Sequence, residues 1–251
     1  MVGAIRNYLP ETWNRYFEPM AGGAALFFAL RPPNAILADV NTELMNFYAI
    51  LKSDPSALEK RLRRFCASRE FYYALRGSRL RTPIRRAARF AYLNRLAWNG
   101  LYRVNRSGEF NVPIGDRLPA TMWNFEELRA ASAALVNATL LTGDFSHVLR
   151  YAREDDFVFL DPPYPRGAAD SVGFNRYSTP SFNHEDHARL AKAIDRLTAR
   201  GVRVLLTLAD RGRLHAIYPS SMRRRIVRSK ALIACNGHDR RNVAELILTN
   251  Y

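Results

Sequence analysis

The sequence predicts an α/β fold: a sheet domain carrying a basic, mostly helical insert. Three observations support this. The first fifty residues run strand, glycine turn, helix, strand, acid, the opening of a βαβ unit. A cationic, helix-patterned stretch then spans residues 54–135. Short apolar runs separated by turn signals resume beyond it.

Taken in order, Tyr16-Phe17-Glu18-Pro19 reads as a strand end. Met20 to Gly23 is a tight turn, Ala24 to Leu30 starts a helix, and Ala35 to Asp39 is a second strand ending in an acid. Asn41 is placed to cap a helix running through Leu51. The Arg-rich insert is broken by a turn-rich stretch, Asn99 to Gly115. Ala138 to Thr142 and Phe157 to Leu160 are strand candidates. Asn183 with Asp186 resembles a capping box for a helix through Arg200, which Gly201 ends. Val202 to Leu208 is an apolar strand, and Ile226–Val227 with Val243–Leu248 reads as a late hairpin. The expected division is one domain from 1–53 and 136–251, with an insert at 54–135 that contains a hairpin at 98–115.

Nearly half the 251 residues are hydrophobic and 12% are aromatic, which excludes wholesale disorder. The net charge of +15 points to an anionic partner, nucleic acid or a membrane surface. Between Lys60 and Arg106 there are fourteen Lys or Arg residues and one acid, Glu70. A second cluster is Arg223, Arg224, Arg225, Arg228 and Lys230. A GC-rich genome explains arginine outnumbering lysine, but it does not explain why the charge is concentrated. A membrane-surface protein needs a basic amphipathic helix with a clean apolar face, and the turn-rich insert suits DNA better. The longest apolar stretch, Ala21 to Leu30, is too short to span a bilayer, and the N-terminus lacks a signal-peptide pattern. Cys66 and Cys235 form no disulfide framework and have no metal spacing. His184, His187, His215 and His238 show no zinc spacing and read as surface residues or caps, so no metal is expected. A cytosolic, reducing location and a monomeric state are expected.

Two constellations carry chemistry. A glycine turn after a first strand lets backbone approach a ligand, and an acid ending the second strand, Asp39, can bond ribose hydroxyls. Dinucleotide and S-adenosylmethionine sites share this logic, and the absence of G-x-G-x-x-G lowers the NAD reading. The second constellation is Asp161-Pro162-Pro163-Tyr164 after an apolar strand. The prolines force an extended turn and remove two amide donors. Asp161 and the Pro162 carbonyl can each accept one N–H from an exocyclic amine, and Tyr164 can stack on a planar base. Asp144-Phe145 suits the adenine of a cofactor: the acid takes an amine hydrogen and the ring stacks.

With these residues in place, the chain resembles the Dam-type adenine-N6 DNA methyltransferases. The resemblance rests on Glu18 to Phe27, on Asp161 to Tyr164, and on Glu245 to Tyr251. Its most specific part is Tyr92 to Asn105 followed by Gly108 to Gly115, which matches the family's DNA-reading hairpin. It covers nearly the whole chain in the right order. It implies a Rossmann-like methyltransferase sheet with an inserted DNA-recognition domain, double-stranded DNA as partner, S-adenosylmethionine as methyl donor, and nucleoid association. Glu18, Pro19, Met20 and Gly22 would hold the methionine moiety, Asp39 the ribose, Asp144 and Phe145 the adenine, with Asp161 bordering the cofactor. Asp161, Pro162 and Tyr164 would be catalytic. Trp98 would wedge into the base stack, and Arg95, Asn99, Leu101, Arg103, Asn105 and Pro113 would contact DNA. GATC is the family's commonest target.

Two departures from the family pattern stand out. The Trp-x-Gly-Gly-Lys segment with which members usually begin has no match before Tyr8, and Ala24 stands where a second glycine is common. The alternative functions are a degenerate, non-catalytic DNA-binding member, or methylation of cytosine N4 or of RNA.

Overall fold

The computed structural model describes residues 2–105, 107–163, 182–209, 214–230 and 242–251. Two compact units emerge. One comprises the described residues of Met1–Val40, Asn137–Pro165 and Ser181–Tyr251; the other is built on Asn41–Val136.

The first unit begins with a short helix, α1 (Val2–Ile5), then β1 (Tyr16–Glu18), α2 (Ala25–Leu30) and β2 (Ala35–Asp39). The second unit contains the helices α3 (Thr42–Ser53), α4 (Pro55–Leu62), α5 (Arg69–Gly77), α6 (Pro83–Leu96) and α7 (Phe125–Leu135). The chain then returns to the first unit with β3 (Ala138–Thr142), α8 (Phe145–Val148), β4 (Phe157–Leu160), α9 (His184–Ala199), β5 (Arg203–Ala209), β6 (Arg223–Lys230) and β7 (Asn242–Thr249).

The seven strands form one sheet in the order β3-β2-β1-β4-β5-β7-β6. The first five are mutually parallel, and β7 runs antiparallel between β5 and β6. The α/β expectation is met as a mixed, mostly parallel sheet. After β3 the chain crosses back to the other side of β1, so the strand order reverses between β1 and β4. In open α/β sheets that reversal leaves a crevice at the carboxyl ends of the two strands, where ligands bind.

Sequence explains the layers. All four residues of β4 (Phe-Val-Phe-Leu) are buried, as expected of a central parallel strand covered on both faces. Leu190, Ile194 and Leu197 recur at helical spacing along α9 and pack with Phe17, Val158, Leu160, Leu206 and Leu208 of the sheet. The capping box at the start of α9 is present: Asn183 accepts from the Asp186 amide while Asp186 accepts from the Asn183 amide. Gly201, at φ +72°, follows its C-terminus.

Register between β1 and β4 is held by a buried carboxylate. Asp156 accepts the Arg15 backbone N–H (3.1 Å), the Arg15 guanidinium (2.6 Å) and the Arg153 amide (2.8 Å). The Phe157 amide in turn donates to the Arg15 carbonyl.

In the second unit, Asn41, Asp54, Ser68 and Asn124 cap α3, α4, α5 and α7 through side-chain bonds to first-turn amides. Its core gathers Tyr72, Tyr92, Leu93, Leu96, Phe110, Val112 and Ile114. Residues 97–114 fold back on themselves through antiparallel bridges Ala97↔Ile114 and Val104↔Phe110. Among the described residues, no helix is long and apolar enough to cross a membrane.

Candidate active site

The carboxyl ends of β1, β2, β3 and β4 lie in a row, and the residues expected to bind cofactor and substrate sit on them. The turn after β1 is tied to its neighbours by backbone bonds: the Ala21 amide donates to the Ala38 carbonyl, and the Gly143 amide to the Asp39 carbonyl. The Gly22 amide donates to Asp39 Oδ2 at 3.0 Å. The structure therefore joins the glycine turn, Asp39 and the start of the Asp144 turn into one ledge. Gly22 has φ +47°, and a Cβ at Gly22 or Gly23 would meet no protein atom within 4 Å. Backbone there borders open space, as a close approach to a ligand requires.

Pro19 is buried, Met20 half-buried, and Glu18 only 3% exposed. Glu18 Oε2 accepts the Tyr16 hydroxyl at 2.7 Å. Burial pushes the Glu18 carboxyl up to about 8. The Tyr16 hydroxyl and the Phe27 amide oppose that rise, and the nearby Asp161 adds to it. Burial, reinforced by Glu18, also pushes the Tyr16 hydroxyl well up. Two carboxyl groups thus sit at the strand-order reversal on adjoining strands, and burial holds the Glu18 carboxyl well above its ordinary value. Paired groups of this kind mark functional sites.

Asp161 is half-buried directly after β4, followed by buried Pro162 and exposed Pro163. Tyr164 lies outside the described residues. The Thr207 hydroxyl on β5 is 2.7 Å from Asp161 Oδ1.

Asp144 caps α8 by accepting the Ser146 amide at 2.9 Å. Its Oδ1 also takes Arg189 Nη2 at 2.8 Å, and the Arg189 guanidinium lies 5.0 Å from the centroid of buried Phe145. Burial works to raise the Asp144 pKa, but the Ser146 bonds and the Arg189 cation outweigh it and hold the carboxyl below its ordinary value. Arg189, Thr207 and Tyr16 are the residues that sequence reasoning missed. Thr207 had a signal: it is a polar residue inside the apolar run Val202 to Leu208. His187, read as a surface residue or cap, is fully buried; its Nδ1 lies 2.6 Å from the Tyr218 hydroxyl. His238 falls outside the described residues.

In the second unit, Arg103 donates through Nε to Asn111 Oδ1 at 2.7 Å and is half-buried. Trp98 packs at the edge of that unit's core, while Asn99, Leu101 and Pro113 are exposed. Asn99 adopts φ +53°, which asparagine tolerates better than most residues. Asn105 closes the turn of the hairpin by accepting the Ser107 and Glu109 amides. Arg95 is exposed, and its guanidinium donates to the Thr121 and Met122 carbonyls.

A mostly parallel sheet with Glu18, Asp39 and Asp161 at the carboxyl ends of its strands around the order reversal has the layout in which α/β enzymes bind small molecules. The sequence of residues 1–233 matches the D12 class N6 adenine-specific DNA methyltransferases, and the chain belongs to that family. It is an adenine-specific DNA methyltransferase. Relatives include the type II methyltransferase M1.LlaDCHI of Lactococcus lactis subsp. cremoris, 34% identical over 98% of this chain and 90% of the relative. The type II methyltransferase M.MjaIII of Methanocaldococcus jannaschii is 32% identical over 94% of this chain and 88% of its own. The DNA adenine methylase of Escherichia coli K12 is 32% identical over 97% of this chain and 88% of its own.

Proposed function

We propose that the chain takes its methyl group from S-adenosylmethionine and delivers it to the N6 amine of an adenine flipped out of duplex DNA, within GATC. The observation that carries this reading is the meeting of Glu18 and Asp161 at the reversal between β1 and β4, beside the Gly22–Asp39 ledge. The residues on hand fit the donor: a glycine backbone bordering open space, Asp39 for ribose hydroxyls, and Asp144 with Phe145 for the adenine. S-adenosylmethionine supplies a methyl carbon activated by a sulfonium.

The chain's own residues do the rest. The lone pair of an adenine N6 amine is delocalised into the ring and is a poor nucleophile. Asp161 and the Pro162 carbonyl accept its two hydrogens and return electron density to nitrogen, and Tyr164 stacks on the base. Held by Glu18, Gly22, Asp39, Asp144 and Phe145, the donor would present to that nitrogen an electrophilic methyl carbon with a neutral thioether as leaving group. The surplus amine proton would then pass to Asp161 or to solvent. Positioning and exclusion of water supply most of the acceleration. The basic unit with its hairpin reads the site: Trp98 fills the vacated stack, and Arg103 pairs with guanine.

The test is product analysis. Expression in a methylation-free host followed by modified-base sequencing should reveal N6-methyladenine at GATC, and Asp161→Ala should abolish it while duplex binding stays within a few-fold. Comparable turnover in Asp161→Ala would remove the catalytic assignment. Methylation at another sequence would remove only the GATC reading.

A further inference from the structure

The strand β5 is apolar in its centre except for Thr207, which is 1% exposed. Its Oγ1 lies 2.7 Å from Asp161 Oδ1 and 3.3 Å from the Leu160 carbonyl. A hydroxyl has one hydrogen to give, and the shorter approach, toward the carboxyl oxygen, takes it. The backbone of Thr207 is locked on both sides. Leu206 pairs with Leu160 of β4, and Thr207 itself pairs with Ile247 of β7. Threonine is β-branched and stiff at χ1, so its hydroxyl is a fixed point in space. The carboxylate it touches is not fixed by its own backbone, because the terminal torsion of an aspartate is broad and roughly two-fold.

We propose that Thr207 is a positioning residue for methyl transfer: its hydroxyl donates to Asp161 Oδ1 and sets the plane in which that carboxylate meets the target amine. The proposal rests on Asp161 being the acceptor of the amine hydrogens. It goes beyond that reading in assigning a role to a strand one step further along the sheet. The chemistry needs such a brace. Asp161 must aim an oxygen at one N–H while the neighbouring proline carbonyl takes the other, and the fixed Thr207 hydroxyl selects among the orientations of its carboxyl group. The bland alternative is a buried threonine that merely satisfies itself on the Leu160 carbonyl. In that case the hydroxyl matters for stability and not for turnover.

The discriminating experiment compares Thr207→Val, Thr207→Ala and Thr207→Ser with wild type and Asp161→Ala, in steady-state methylation of duplex DNA with labelled S-adenosylmethionine. Valine keeps the branched shape and removes the hydroxyl; serine keeps the hydroxyl and loses the branch. Kinetics are read below the melting temperature of each variant. Valine and alanine both test the hydroxyl, so either one remaining folded is sufficient. We expect kcat to fall about 10–100-fold in Thr207→Val or Thr207→Ala, with KM for DNA and donor within about two-fold, and Thr207→Ser to recover most of the loss. Three results overturn the proposal while leaving Asp161 catalytic. The first is wild-type kcat in folded Thr207→Val with an inactive Asp161→Ala. The second is equal loss in the serine and valine variants. The third is a rise in KM at unchanged kcat. An active Asp161→Ala would instead remove the reading on which the brace depends, and the brace with it.

Discussion

Glu18 enters the fold at a cost that grows with pH. Its carboxyl is raised from an ordinary value of 4.5 to about 8, chiefly by burial. The native state therefore keeps a proton that the unfolded chain releases above about 4.5. The Glu18 contribution to stability is complete below that pH and is lost as pH rises through about 8, with a slope of at most about 1.4 kcal/mol per pH unit. Glu18→Gln should flatten the melting-temperature profile between those limits, and parallel profiles for the two proteins would contradict the buried-carboxyl account. Ala24 is a second informative residue. It is 1% exposed with φ +48°, left-handed backbone that favours glycine. Ala24→Gly would relieve roughly 1–2 kcal/mol of backbone strain but lose about 0.8 kcal/mol of buried methyl. The departure from a glycine thus costs little, and unfolding free energies from chemical denaturation should differ by no more than about 1.2 kcal/mol. In the hairpin, Arg103→Ala should relax methylation at one base pair by ~1–3 kcal/mol of discrimination. Exposed Arg85 should behave as a phosphate contact whose loss weakens all sequences alike. Arg86 is ion-paired with Glu43, so its loss should be felt in stability as well. A substrate panel carrying every single-base variant of the site separates these outcomes. A uniform fall across the panel for Arg103→Ala would make that arginine a backbone clamp.

Elements differ in how much of them was written locally. The strands Ala35–Asp39, Ala138–Thr142 and Phe157–Leu160 were readable to the residue, because short apolar runs between turn signals have little else to become. The caps at Asn41 and Asn183 were readable because a side-chain acceptor before an amphipathic run satisfies first-turn amides in any context. The late hairpin is longer than the apolar pair Ile226–Val227: β6 runs from Arg223 to Lys230 and takes in the second basic cluster. Its position explains that cluster, since β6 is an edge strand, where charge guards against further pairing. The β1–β4 clamp was invisible, because Arg15 and Asp156 are 141 residues apart. Asp156→Ala removes the acceptor for two backbone amides and a guanidinium, and should cost about 2–4 kcal/mol in chemical denaturation. Because those strands carry Glu18 and Asp161, activity should fall before the fold is lost.

Over the molecule as a whole, the concentration of cations predicts salt-sensitive DNA binding. The cations between Lys60 and Arg106 all lie in the second unit, but several are engaged internally: Arg63 with Glu59, Arg79 with Glu109, Arg86 with Glu43. Formal charge therefore overstates the number of phosphate contacts. About six contacts would give a log–log salt slope near −5. A slope near zero across a salt series would mean that the basic unit does not face the DNA.

Most of the strands, the capped helices at Asn41 and Asn183, the glycine turn with its acid, and the proline-rich acidic turn were legible in the linear chain, because each depends on neighbours a few residues away. Three things depended on contacts between distant segments: the sheet order that sets Glu18 beside Asp161, the proton held on Glu18, and the hydroxyl of Thr207 against Asp161. Burial and long-range pairing belong to no local stretch of sequence. A glutamate reads the same in a loop or in a core until the fold excludes water around it.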